Sequence, residues 1–277
     1  MTNPRTSVTL CLSPPNPALR TEALFDEMYV EHRGSPISEF HTRLYSINRL
    51  SPQPANFDEL QAQLVLLGVI AAVESYIRAL YRKLLIVDEQ AASASEAREL
   101  SFGAAMHLSR ELMPEGILEK ISFISEATIW DSTKQLLGIR GEAPADLKSA
   151  MQDYTTVCQL RHCAVHRFGK LGASNAIKLG LSTHKHLLEK PLKLSYSDLQ
   201  NAIAISTCFV RTLNNFLFNE LLSRLPTSSW QGTYARDRTR FSRYYKLFAD
   251  KTSVSPTASP SAVYAEFRAQ RVTLPPR

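Results

Sequence analysis

Fifteen prolines partition this chain, and the gaps between them dictate where long helices can form. They fall at 4, 14, 15, 17, 36, 52 and 54, then singly at 114, 144, 191 and 226, and finally at 256, 260, 275 and 276. Proline removes a backbone N–H and clashes with the preceding turn, so helix interiors exclude it. The proline-free intervals carry apolar residues at three- and four-residue spacing, the period of an amphipathic helix. The interval after Pro54 predicts a helix over Phe57–Leu85, with Asn56 as N-cap and Glu59 completing a capping box. Its apolar run, Leu64 to Val73, ends at Glu74 and reads as a buried core helix, too short for a membrane span.

Further helices are expected from Ser93 to before Pro114, over Glu115–Leu137 with Gly138 and Gly141 as stops, and from Pro144 to Phe168. A fifth is expected over Ser195–Leu225 and a short basic one over Tyr234–Phe248. Thr21–His32 and Ser38–Asn48 suit shorter helices. Gly169, Gly172 and Gly180 predict a loop or hairpin, with a candidate strand at Ala176–Leu181. From Lys251 onward Ser, Thr, Pro and Ala dominate, which predicts a mostly disordered tail. The pattern is all-α, an elaborated antiparallel four- or five-helix bundle. Its expected divisions are a loose leader (1–20), short helices (21–55), the bundle (56–225), a basic aromatic segment (226–250) and the tail (251–277). No internal repeat is visible.

The 277 residues are 44% hydrophobic, enough to bury a real core. A net charge of +6 favours an anionic partner such as nucleic acid. The first residues are polar and proline-rich, without a secretory signal. Cys11, Cys158, Cys163 and Cys208 form no Cys-x-x-Cys pair. The expectation is of reduced, buried thiols in a cytoplasmic protein, without stable insertion in a membrane.

The chemistry concentrates at Cys158-Gln159-Leu160-Arg161-His162-Cys163-Ala164-Val165-His166-Arg167-Phe168-Gly169-Lys170. An arginine holds phosphate through paired charged hydrogen bonds, and an imidazole exchanges a proton near neutral pH. On a helical wheel Arg161 lies within the apolar stripe of Val157, Leu160, Ala164, Val165 and Phe168. His162 and His166 lie one turn apart on the other side. On a straight helix Arg161 and His166 diverge by roughly 140°. They converge only if the helix ends near Val165 or if two copies of the motif meet across a two-fold axis.

This stretch resembles the Arg-x4–6-His signature of the HEPN domain family, over about Asn56 to Arg224. The resemblance implies a small α-helical domain, in many members a metal-independent endoribonuclease of toxin or antiviral-defence type. It implies a homodimer with a composite cleft around the Arg161–His166 region and RNA as substrate. Attack by the 2′-hydroxyl would give a 2′,3′-cyclic phosphate. Arg161 and His166 would carry catalysis, and His162 would assist. The family context also implies a regulatory protein partner. Other members are non-catalytic interaction modules, and that alternative stands beside the nuclease.

Around the motif, Arg167 and Lys170 are candidate RNA contacts beside an exposed Phe168. Trp230–Phe248 interleaves Arg236, Arg240 and Arg243 with rings. That composition suits single-stranded RNA, or else a helix whose rings pack on the bundle while its cations stay hydrated. Glu74 either pairs with Arg78 on its own helix, the favoured reading, or supports Arg161 or a motif histidine. His162, His166, His184 and His186 offer imidazoles for zinc. No convincing carboxylate or thiolate completes the set, so no metal and no cofactor are expected.

Overall fold

The computed structural model describes residues 8–31 and 34–272. The first unit, within Met1–Arg33, is almost wholly exposed and holds one 3-10 turn, Thr21–Leu24. The expected helix over Thr21–His32 does not form in the described part of that range. Its side chains bury nothing there, and an isolated short helix is marginal in water.

The second unit, Gly34–Arg277, is all-α, with no strand among the described residues. Its helices are α1 (Pro36–Asn48), α2 (Glu59–Val87), α3 (Glu89–Ala94), α4 (Phe102–His107), α5 (Met113–Leu118) and α6 (Glu126–Leu137). Then come α7 (Ala145–Arg167), α8 (Ala173–His184), α9 (Tyr196–Ser223), α10 (Tyr234–Phe248) and α11 (Pro260–Val272). The long helices α2, α7 and α9 pack on one another, with α1 and α10 on α2 and α9, and α6 on α2 and α7. Leu66, Val69, Val73, Ile77, Leu80 and Leu84 of α2 are fully enclosed. By length and composition α2 would suffice to cross a membrane, with a hydropathy of 1.7 over its most apolar 18 residues, 56% of them buried in the protein. The apolar stretch is thus longer than Leu64–Val73 suggests.

Caps decide where helices begin. Asp58, not Asn56, accepts from Gln61 N at 2.6 Å, because Asn56 is taken up in a Pro54–Asn56 3-10 turn. Asp58 also brings a full charge to the helix N-terminus. Ser195 and Asp198 form a reciprocal capping box at α9. The expected helix from Ser93 to Pro114 is instead divided. α3 ends at Ala94, Ser101 caps α4, and Pro114 lies in the first turn of α5. The expected Glu115–Leu137 helix breaks at 119–125, where Ser125 caps α6. Ala176–Leu181 is helical rather than a strand, kinked at Gly180 (φ 101°).

The region 251–272 is not a disordered tail. Asp250 organises a turn through Thr252 N (3.0 Å) and Ser253 N (3.1 Å). Beyond it, α11 packs Tyr264 and Phe267 against Phe241 of α10. The boundary expected at 55/56 is also displaced, since α1 packs on α2 as part of the bundle.

Candidate active site

α7 places the motif. It begins after Pro144 and continues unbroken through Arg167, so His166 does not swing round at an early end near Val165. Phe168 stops the helix in the left-handed region (φ 50°), and its N–H bonds Cys163 O. Gly169 follows at φ 88° and donates to the same carbonyl at 3.0 Å. A backbone bridge between Lys170 and Pro191 then ties the loop to the segment before α9. The Phe168 ring, held in a conformation that costs a non-glycine residue about 1–2 kcal/mol, is 80% exposed.

His162 and His166 lie one turn apart, ring centroids 4.5 Å apart and planes tilted at 48°. His162 is half-buried and His166 exposed. Burial first, and then the positive fields of His166, Lys178 and Arg161, lower the His162 pKa below its ordinary 6.5. Lys178 of α8 thus adds positive field at His162, a contribution not anticipated from the sequence. Reading 176–181 as a strand hid it, although the spacing of Ala173, Ala176, Ile177 and Gly180 fits a helical face.

Arg161 is half-buried, and among the described residues it makes no hydrogen bond or ion pair. Its charge and that of Glu74 both reach the buried Tyr154 hydroxyl and Cys158 thiol. Burial raises the Tyr154 pKa well above normal and pushes the Cys158 thiol to about 12, so both stay neutral. The Tyr154 ring stacks on Phe209 of α9 at 4.7 Å, which fixes α7 against α9.

The expected Glu74–Arg78 pair is not what the structure holds. Glu74 accepts from Phe123 N at 3.1 Å. Arg78 donates to Leu118 O and Ile121 O, approaches Glu115 at 3.8 Å and lies over the Phe123 ring at 5.6 Å. Two neighbours on one helix each take a separate job, fastening the 118–123 loop. The carbonyls of that loop would otherwise lack donors, and that need outcompetes a local ion pair.

The candidate RNA contacts scatter. Arg167 is ion-paired with Glu189, so it closes its own loop. Lys170 is exposed, and its side chain has no partner among the described residues. On α10, Arg236 is exposed, Arg240 donates to Ser229 O, and Arg243 donates to Val87 O at 3.2 Å. The rings of α10 are core: Phe241, Tyr244, Tyr245 and Phe248 are buried. They are not available to stack on bases, because their apolar spacing follows the helical period. The packing neighbours of α10 are α1, α2, α9 and α11 rather than α7.

No three His, Cys, Asp or Glu side chains among the described residues converge as metal ligands. His184 is engaged locally, its Nδ1 2.9 Å from Gly180 O. All four cysteines are free, but Cys11 and Cys208 are exposed rather than buried. No family model, curated protein or solved structure matches this chain.

Proposed function

We propose that this protein is a metal-independent endoribonuclease of the HEPN type, a toxin or antiviral-defence effector acting in the cytoplasm. The observation that carries the reading is the close His162–His166 ring pair, held in the positive field of Lys178 and Arg161. Two imidazoles in contact resist carrying two charges at once, so one serves as base and the other as acid. His162, with its lowered pKa, accepts the proton of the RNA 2′-hydroxyl. The 2′-oxygen then bonds to phosphorus and the P–O5′ bond breaks. His166 delivers a proton to the departing 5′-oxygen, and the product ends in a 2′,3′-cyclic phosphate. Arg161 and Lys178 offset charge on the phosphoryl oxygens.

Because α7 is unbroken through the motif, the helical period sets Arg161 and His166 of one chain on different faces. The reading therefore includes a homodimer, in which the second copy supplies the group that one chain cannot aim. Val165 (45% exposed), Phe168 (80%) and Ile177 (63%) flank the histidines as apolar surface that such a copy would cover. A regulatory protein partner is part of the proposal, since free cleavage of cellular RNA must be restrained. The test is product analysis. A synthetic RNA incubated with the protein in EDTA should yield 2′,3′-cyclic phosphate ends, and the matching DNA should survive. Cleavage of both substrates, or linear phosphate ends from the first time point, overturns the mechanism.

The alternative is a non-catalytic interaction module, and the half-burial of Arg161 beside Tyr154 and Cys158 favours it. Arg161→Ala would then lower the melting temperature markedly, while His166→Ala would leave it unchanged.

A further inference from the structure

Residues 161–193 hold seven Lys or Arg and a single acid, Glu189, a balance of +6 that equals the formal charge of the whole chain. The excess is thus gathered on one piece of the fold: the end of α7, then α8 and the two loops that flank it. Backbone bonds stitch those loops together. Leu171 N donates to Lys190 O at 3.0 Å, Glu189 N to Leu171 O at 2.9 Å, and Leu192 N to Gly169 O at 2.8 Å. Lys170 bridges to Pro191 and so lies against the segment that carries Lys190 and Lys193.

The one acid of this module is already paired, with Arg167. Lys170, Lys178, Lys185, Lys190 and Lys193 are all exposed, and none of their ammonium groups has a hydrogen bond or ion pair among the described residues. Elsewhere the chain sets acids beside its cations, as Glu39 beside Arg43 and Lys83, and Asp131 beside Lys134. Like charges gathered without counter-charges repel one another and work against the compact state. The patch borders the candidate site, because the charge of Lys178 is felt at His162.

We infer that this module is the platform that grips the sugar-phosphate backbone of an RNA strand entering the His162–His166 site. The inference rests on the nuclease reading for the choice of RNA among polyanions. A lysine is a compact point charge on a flexible stem, so each one neutralises a phosphate without demanding a fixed geometry. Contacts of this kind position a strand but read no bases, so the platform holds RNA of any sequence. RNA is favoured over an anionic lipid surface because the platform ends at an imidazole pair suited to a phosphodiester, which a bilayer would leave without a role.

The probe is a fluorescent 2′-O-methyl RNA of about 12 nucleotides, whose blocked 2′-oxygens cannot attack phosphorus. The full chain is titrated into it at neutral pH and followed by fluorescence anisotropy. Each phosphate neutralised on a single strand contributes about −0.7 to the slope of log affinity against log salt, so five lysines give a slope of about −3.5. Affinity should then fall about 10²-fold between roughly 50 and 200 mM salt, alike for probes of different sequence. The triple variant Lys170→Gln, Lys190→Gln, Lys193→Gln should bring the slope to about −1.4, and Lys178→Gln with Lys185→Gln to about −2.1. A control, Lys120→Gln, Lys148→Gln, Lys251→Gln, removes three charges from exposed positions elsewhere and should keep the slope at about −3.5. All variants should keep the wild-type circular dichroism, since these ammonium groups make no contact within the fold. The inference is overturned if no probe binds at about 50 mM salt, or if the control weakens binding as much as the module variants do. It is also overturned if the five lysines govern sedimentation with phosphatidylserine vesicles but not binding of the probe. Because the probe cannot be cut, binding is read apart from cleavage. Lysine-dependent binding without cleavage of ordinary RNA would remove the nuclease chemistry and keep the platform.

Discussion

Arg224→Met tests how this bundle locks its helices together. Asp88 sits between α2 and α3, is 2% exposed, and caps α3 by accepting from Ala91 N at 2.8 Å. Its carboxylate also receives Arg224 of the α9 C-terminus and the Tyr244 hydroxyl of α10 at 2.7 Å. Arg224 spends a second N–H on Leu137 O, the end of α6, at 2.6 Å. One ion pair thus joins five helices. Removing the guanidinium strands a buried carboxylate and a carbonyl, a change that typically costs about 3–5 kcal/mol. At roughly 2–4 °C per kcal/mol for a domain of this size, the melting temperature should fall about 6–20 °C. Circular dichroism at the helix band during heating measures it. Glu189→Gln is the control, because it removes an exposed pair with Arg167 worth about 0–1 kcal/mol. If Arg224→Met costs no more than Glu189→Gln, the network does not hold the bundle as argued.

Tyr264→Phe removes a donor to the buried Asp237 and should cost about 1–3 kcal/mol in urea unfolding. Burial alone would raise the Asp237 pKa, but hydrogen bonds from Gln231 N, Gly232 N and Tyr264 outweigh it and hold the pKa below 3.8. The stability this carboxylate contributes is therefore present above its unfolded pKa and lost as pH falls through its lower folded one, so acid melts should show a loss confined below about pH 4. Gly169→Ala places a side chain at φ 88°, its Cβ 3.1 Å from Gln63 Oε1, and should lower stability by about 1–2 kcal/mol. For cleavage, a base must be unprotonated. The rate should rise with pH through a midpoint below 6.5, set by His162, and a midpoint absent below 6.5 would remove that residue as the base.

Helix type was legible wherever the apolar period was long. The expected helices over Phe57–Leu85, Pro144–Phe168, Ser195–Leu225 and Tyr234–Phe248 match α2, α7, α9 and α10 within a few residues. The stretch from Ser93 to Ser125 was not legible. Its short helices are set by serine caps and by Arg78 and Glu74 reaching from α2, contacts that no local window contains. The tail misled for a related reason. Its polar composition hides Tyr264 and Phe267, two rings whose burial depends on Phe241 some twenty residues earlier. At the motif, the continuity of α7 through Arg167 followed from the helical period. Lys178 and the committed side chain of Arg167 became visible only when α8 and Glu189 took their places.

The most direct measurement is the initial rate of cleavage of a defined RNA in EDTA by the wild type and by His162→Ala, His166→Ala and Arg161→Ala, each first confirmed folded. Losing a positioned acid or base should slow the histidine variants by about 10²–10⁴-fold, and Arg161→Ala should be comparably impaired. Wild-type rates in both histidine variants would contradict the account.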